Sequence, residues 1–346
     1  MTASTVAPTT PLTGGRAPVG TKNIVWHRAQ RVFLSVWKPI SIFIPVFILG
    51  SFFTFGLGAI SGRSPAALQL GDAATPDAVA ALNHQFGLDQ PFFSRYFDWL
   101  GALLSGNFGN SWVNGVPVIK LLGDRAAVSL SVAGLALLIG VVFGFIFGSI
   151  AAQFQTRWPD RLITTGTTII SVLPPFVVGI ALIAVFSIWL RLLPAVGFVP
   201  ITKGFWPWFS HLILPAIALS FDTVSDVARQ LRTGLVSVYR ENYVTGAVVR
   251  GLGPRRVFFV HVLRNGIGPA LSVLGLKFPA LLGGAVLIET IFGLAGYGVF
   301  AAQSAVSGDV PSVQAVLVIS IVLVVVFNLL VNIILNRLIP SAARGV

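Results

Sequence analysis

Glu241-Asn242-Tyr243-Val244-Thr245-Gly246-Ala247-Val248-Val249-Arg250-Gly251-Leu252-Gly253-Pro254 lies between two long apolar runs, and after Arg255-Arg256 and four apolar residues it is followed by His261-Val262-Leu263-Arg264-Asn265. Residues 229–265 hold seven arginines (Arg229, Arg232, Arg240, Arg250, Arg255, Arg256, Arg264) against one acid, Glu241. So many charges cannot rest in hydrocarbon, so the stretch must join two membrane spans on one side of the bilayer. From Glu241 to Val249 the apolar residues Tyr243, Val244, Ala247 and Val248 recur at helical spacing, which predicts a short amphipathic helix. Arg250 suits the negative helix end, and Gly251 is the residue type that takes a left-handed cap. Pro254 fits the first position of a second helix, where its missing N–H costs nothing. Two helices joined by a sharp bend are expected. By these residues alone, such a helix could lie on anionic headgroups or dock on another protein.

Working outward, the composition names the solvent. Hydrophobic residues make up 55% of the 346 and charged ones 10%, against about 25% in ordinary soluble domains. The expected class is an all-α membrane protein with about six transmembrane helices. Net charge is +12, but the basic residues sit in short segments between apolar runs, so they report topology and not nucleic-acid binding. The absence of cysteine excludes disulfides, thiolate metal sites and thiol catalysis.

Taken in order, residues 1–30 read as a disordered cytoplasmic tail, rich at first in Thr, Pro, Gly and Ala. Residues 31–61 carry the first span, in which positions 40–60 form a 21-residue run without charge, about the length that crosses a bilayer as a helix. Residues 62–125 have no spanning run and are expected to form an external insert. The core, residues 126–338, is expected to contain spans two to six, followed by a C-terminal tail, 339–346.

Span two lies within the uncharged run 126–156, where Gly140, Gly144 and Gly148 share one face and invite close approach by another helix, more readily one of the same chain. Span three, 162–190, is kinked at Pro174-Pro175. Span four, 204–221, carries a single histidine, His211, with no companion at metal-ligand spacing, and no metal is assigned. Span five, 266–288, contains Lys277 near its middle; an ion there must find a partner, and Asp222 and Asp226 are the candidates. Span six covers 313–335.

With the N-terminus inside, cytoplasmic segments hold sixteen Lys and Arg and external ones six. The positive-inside tendency therefore puts both termini in the cytoplasm.

No G-x-x-x-x-G-K-[ST] phosphate loop, H-E-x-x-H or G-x-S-x-G is present, so neither nucleotide binding nor hydrolysis has visible machinery in this chain. An ion-coupled secondary transporter is the alternative: it would use Lys277 and the broken span at Pro174-Pro175, but would leave residues 229–265 without a purpose.

Tyr243-Val244, Ala247, Gly251-Leu252 and His261-Val262-Leu263-Arg264-Asn265 resemble the cytoplasmic loop of permease subunits of ATP-binding cassette importers of the dipeptide, oligopeptide and nickel branch. Thr245 and Gly246 stand where that loop begins acid-Ala, and Arg250 where it has lysine. Gly87-Leu88-Asp89-Gln90-Pro91 with Tyr96, and Gly106-Asn107-Phe108-Gly109-Asn110-Ser111, resemble the family's external-loop signatures, with Asn107 in place of an acid. Leu193-Pro194-Ala195-Val196-Gly197, Glu289-Thr290-Ile291-Phe292 and Ala295-Gly296-Tyr297-Gly298 match further segments.

The resemblance implies a type I ABC importer permease fold in the bacterial inner membrane. It implies four kinds of association: a second homologous permease, two ATPase subunits or domains that bind ATP and magnesium, an external substrate-binding lipoprotein, and the lipid bilayer. It also implies that Glu241, Tyr243, Val244, Ala247, Val248, Arg250, Gly251 and Leu252 couple this chain to the ATPase. Lys277 and Asp222 are the candidates for the translocation path, although a snorkelling lysine or a structural ion pair is the plainer reading of Lys277, which most members of the family lack. No catalytic residue is expected.

Overall fold

The structure is a computed structural model, and it describes residues 43–60 and 64–338. The expected tails, residues 1–30 and 339–346, lie outside the described residues, as do residues 31–42 at the start of the first-span segment.

α1 (Phe43–Ile60) is followed by three short helices, α2 (Pro65–Leu70), α3 (Pro76–Gln85) and α4 (Phe92–Leu104). Their starts are written locally: Ser64 and Thr75 accept hydrogen bonds from Ala67 N and Ala78 N, and Pro65 and Pro76 take the first helical positions. α4 returns onto α1 through a ring cluster in which Phe55 and Tyr96 meet edge to face at 5.6 Å, and Tyr96 Oη lies 2.9 Å from Ser51 Oγ. The two segments that resemble the family's external-loop signatures contain turns, with Gly87, Gly106 and Gly109 all at positive φ.

α5 (Val118–Gln153) is longer than the uncharged run 126–156 suggests, and begins eight residues before it. The expected boundary at residue 125 therefore falls inside a helix. At 36 residues it measures about 54 Å, well beyond the roughly 30 Å of bilayer hydrocarbon, and its first turns pack through Val118 and Leu122 against Tyr297, Phe300, Ala315 and Val316. Lys120, Asp124 and Arg125 lie on those turns, and Arg125 rests 4.4 Å above the Phe300 ring.

α6 (Trp158–Val172) and α7 (Pro175–Leu182), the latter continued by the wide turns of Ile183–Trp189, replace the single kinked span three. The two arms meet at 97°, a break and not a kink. Pro174 and Pro175 supply no N–H and push the preceding residue out of helical geometry. Beyond the break α7 packs closely on Phe292, for a Cβ at Gly179 would sit 3.1 Å from its ring.

α8 (Phe205–Tyr239) carries the apolar run 204–221 unbroken down through Arg229 and Arg232, as one continuous helix. α9 (Asn242–Val249) and α10 (Pro254–Arg256) follow, and the chain proceeds through the wide turns of Val257–Leu263 and α11 (Arg264–Gly266) into α12 (Gly268–Ile291). α13 (Tyr297–Ser307) and α14 (Val310–Leu338) complete the described chain.

α5 and α8 form the largest helix–helix interface. The glycine stripe makes it possible, for a Cβ at Gly140 would come 2.5 Å from Thr223 Cγ2, at Gly144 2.6 Å from Val227 Cβ, and at Gly148 2.7 Å from the Ala228 carbonyl oxygen. The stripe therefore serves packing within the chain. Close backbone approach matters here because lipid offers side chains the same apolar contact as protein does, so packing must supply the attraction. Around this pair the core divides into one cluster centred on Leu212, Leu214 and Ile288, and a second, toward the arginine-rich end, centred on Leu231, Leu235 and Val262.

Candidate functional site: the arginine-rich elbow and a charged cluster between α8 and α12

α9 begins after Glu241, whose extended backbone (φ −75°, ψ 139°) lets its carbonyl accept the first helical N–H, from Val244 at 3.0 Å. The Glu241 side chain makes no capping bond. At the other end Arg250 stops the helix, Gly251 takes φ +78°, and the two closing hydrogen bonds form: Gly251 N to Val248 O at 2.9 Å and Leu252 N to Ala247 O at 3.2 Å. Both bonds together make the glycine-capped stop that Gly251 promised. Pro254 then opens α10.

The expected apolar face is divided by the structure. Val244 (3% exposed) and Ala247 (0%) are buried against the chain's own core with half-buried Leu252, whereas Val248 (58%) and Val249 (82%) stand free. Of the four apolar residues spaced along this helix, Val244 and Ala247 therefore turn to the chain's own core while Tyr243 and Val248 stay exposed. The wheel that spaces them spans more than one side of so short a helix, and only the neighbouring spans decide which side turns in. Arg250 is exposed and folds its Nε back to Gly246 O at 3.1 Å.

Tyr243 is half-exposed. Burial of its ring pushes the phenol above its ordinary pKa, with a hydrogen bond to Asn265 acting the other way. Asn265 Nδ2 also donates to His261 O at 2.7 Å. The ending His261-Val262-Leu263-Arg264-Asn265 thus ties the elbow back to α9.

Near the foot of α8, Arg232 clasps Asp160 in a two-pronged pair, Nε to Oδ1 at 2.5 Å and Nη2 to Oδ2 at 2.6 Å. Asp160 is buried and also accepts Thr156 N at 2.9 Å. This clasp joins the start of α6 to α8, and a cleft lined by Thr164, Thr167, Thr168, Arg229 and Arg232 opens beside it.

Midway along the bundle, Lys277 of α12 donates to Asp222 Oδ2 of α8 at 2.6 Å and pairs with Asp226, which in turn pairs with Arg229. Both partners expected from the sequence are present. Lys277 is held by two carboxylates and does not reach for the surface.

Two buried acids carry structural bonds that the sequence did not announce. Glu289, fully buried, accepts Ser129 Oγ at 2.5 Å and Val299 N at 3.0 Å, and Ser129 Oγ accepts Tyr297 N at 2.7 Å. A carboxylate on α12 thereby caps the positive end of α13. Asp309 accepts Ser111 Oγ at 2.5 Å, Trp112 N at 3.0 Å and Ser312 Oγ at 2.7 Å, which fastens the insert to the start of α14. Their sequence signal is an acid at the edge of an apolar run, with the family-like segment Glu289-Thr290-Ile291-Phe292 in one case, and neither names the partner. Among the described residues, no group of three or more His, Cys, Asp or Glu side chains is placed to hold a metal ion. His211 spends Nδ1 on Pro207 O at 2.8 Å.

Comparison with known proteins agrees with this geometry. Residues 144–344 match the family model for the binding-protein-dependent transport system inner membrane component, and residues 33–133 the model for its N-terminal part. A protein of Sinorhizobium fredii named "Probable peptide ABC transporter permease protein" is 36% identical over 289 residues, 84% of this chain and 92% of that protein. The glutathione transport system permease protein GsiC of Salmonella typhimurium is 31% identical over 307 residues, 88% of this chain and 97% of that protein. Among solved structures, the MetNI methionine ABC transporter in an inward-facing conformation matches with a TM-score of 0.54 at 14% identity, covering 65% of this chain and 99% of that one. That likeness concerns the fold, a type I importer permease. The ion-coupled carrier has no support in these matches. The chain is a multi-pass membrane protein and belongs to the family of binding-protein-dependent transport system inner membrane components, the membrane-spanning permease subunits of ABC importers.

Proposed function

We propose that this chain forms half of the translocation path of an ATP-driven peptide importer. Its partners are a second homologous permease, two ATP-binding cassette subunits or domains, and an external substrate-binding lipoprotein. ATP and magnesium are bound, and ATP is hydrolysed, on the ATPase partners. The arginine-rich end faces the cytoplasm, where positive segments are retained, and the insert α2–α4 faces outward. The peptide substrate is supported by relatives named for peptide and glutathione transport.

The observation that carries the reading is the two-sided α9. Its inner residues, Val244 and Ala247, are locked into the chain's core, and its outer residues, Val248 and Val249, form an apolar tip flanked by Glu241, Arg250 and Arg255. An apolar tip with a charged rim fits a groove on another protein. The locked inner side makes α9 a lever: when ATP closes the ATPases, force on the tip passes through Val244 and Ala247 to α8 and α12, and the spans open outward. Hydrolysis resets them.

Because the chain has no cysteine, Val249→Cys gives a single label. In the assembled transporter it should crosslink to the ATPase, whereas exclusive crosslinking to lipid would remove the docking role. Gly251→Val forces a β-branched residue to φ +78°, at a cost of about 1–2 kcal/mol or more. The expected result is ATPase activity that continues while uptake falls at least about tenfold. Normal coupling in that variant would contradict the lever.

A further inference from the structure

Two carboxylates and two cations meet on one face of α8, halfway along the bundle. Asp222, Asp226 and Arg229 follow one another at helical spacing, and Lys277 reaches them from α12 with its side chain 12% exposed. The Asp222 side chain, by contrast, is 51% exposed and that of Arg229 55%. Such a face at membrane depth must meet water or protein.

The cluster is electrically neutral by itself, so it requires no counter-charge from a neighbouring subunit. It nevertheless keeps bonding capacity. Asp222 uses Oδ2 for Lys277, and its Oδ1 has no protein partner among the described residues; Arg229 engages only Nη2.

We propose that this cluster is a binding station in the path for a zwitterion, a peptide of about two or three residues with free termini, whose ammonium meets Asp222 and whose carboxylate meets Arg229. The assignment rests on the peptide-import reading and names the contact within it. Asp222 and Arg229 are seven residues apart on one helix face, about 10.5 Å along the axis. An extended chain advances about 3.3–3.6 Å per residue, so a tripeptide spans the gap, and the long Arg229 side chain can shorten it for a dipeptide. Neutrality argues for the same ligand. A neutral cluster in a low-dielectric setting accepts a neutral zwitterion without leaving a net charge, whereas an ion of either sign would leave one uncompensated.

The test uses the whole permease–ATPase complex in nanodiscs without its substrate-binding protein, so that selectivity from that protein is absent. Equilibrium binding of trialanine is compared with N-acetyl-trialanine and trialanine amide. The unaltered complex should prefer trialanine at least about tenfold over either blocked form. Asp222→Asn should erase the preference over the acetylated form, and Arg229→Gln the preference over the amide. Lys277→Gln leaves one negative charge in excess and should turn the preference toward the amide, a reversal that a purely structural ion pair would not produce. The Asp222→Cys variant should react with a water-soluble thiol reagent.

Equal binding of all three probes, binding of none, or uniform weakening by every variant overturns the proposal. So does an Asp222→Cys variant whose thiol a second subunit shields from the reagent. Uptake by the complete transporter, measured alongside, separates the two readings. If peptide uptake persists without the preference, this station falls and peptide import stands; if no peptide is taken up, both fall.

Discussion

Gly148→Val should leave little folded permease in the membrane. A Cβ at Gly148 would lie 2.7 Å from the Ala228 carbonyl oxygen, 3.1 Å from Ala228 Cα and 3.0 Å from Leu231 Cβ. Two of these three atoms belong to the backbone of α8, so no rotamer change relieves the contact and the helices must part. Overpacking of a tight core costs about 1–3 kcal/mol and sometimes more. Here the top of that range applies, because the displacement propagates along the stripe to Gly144 and Gly140. Thermal melting of the purified complex should fall by several degrees, with a matching loss of protein recovered from membranes. Gly283→Ala is the matched control, since nothing lies within 4 Å of its added methyl. A Gly148→Val melting point within about one degree of the unaltered protein would show that α5 and α8 are not so closely apposed.

Asp160→Ala should have an effect of comparable size by a different route. The carboxylate is 3% exposed and takes both prongs of Arg232 as well as Thr156 N. Removing one member of a buried ion pair costs about 3–5 kcal/mol, and the low end applies here because the Arg232 side chain keeps 28% of its surface exposed and recovers some hydration. The start of α6 should come away from α8, which proteolysis in the 154–157 turn would register along with the lowered melting point. Asp160→Leu combined with Arg232→Met should recover much of the loss, since neither charge is then buried. Arg232→Lys in the otherwise unaltered protein should lose part of the same stability, because a single ammonium cannot make the two-pronged contact with Asp160. If Asp160→Ala melts as the unaltered protein does, the clasp contributes no more than a surface pair.

Local features of the elbow were readable without coordinates. Gly251 takes a left-handed conformation that β-carbons resist, and Pro254 a helical position that needs no N–H; both depend only on neighbours within a few residues. The pairing of Lys277 with Asp222 and Asp226 was readable for a different reason. A charge deep in an apolar span has so few acceptable surroundings that the nearest acids become its partners before any fold is known. The glycine stripe gave the closeness of a helix contact, though not the name of its partner, α8.

What the chain's own letters decide here is where charge may and may not enter hydrocarbon, and therefore the solvent, the spans, the elbow and the family. They do not decide which side of a short helix faces inward, since Tyr243, Val244, Ala247 and Val248 are all apolar enough to be buried and only the end of α8 and the turns of Val257–Leu263 select Val244 and Ala247. Nor do they decide how far the chain turns at Pro174-Pro175, because two prolines open the backbone without fixing the 97° between the arms. Glu289 and Asp309 belong with these. Their partners, Ser129 and Ser111, stand 160 and 198 residues away, and hydrogen bonding at that separation exists only after the helices have packed.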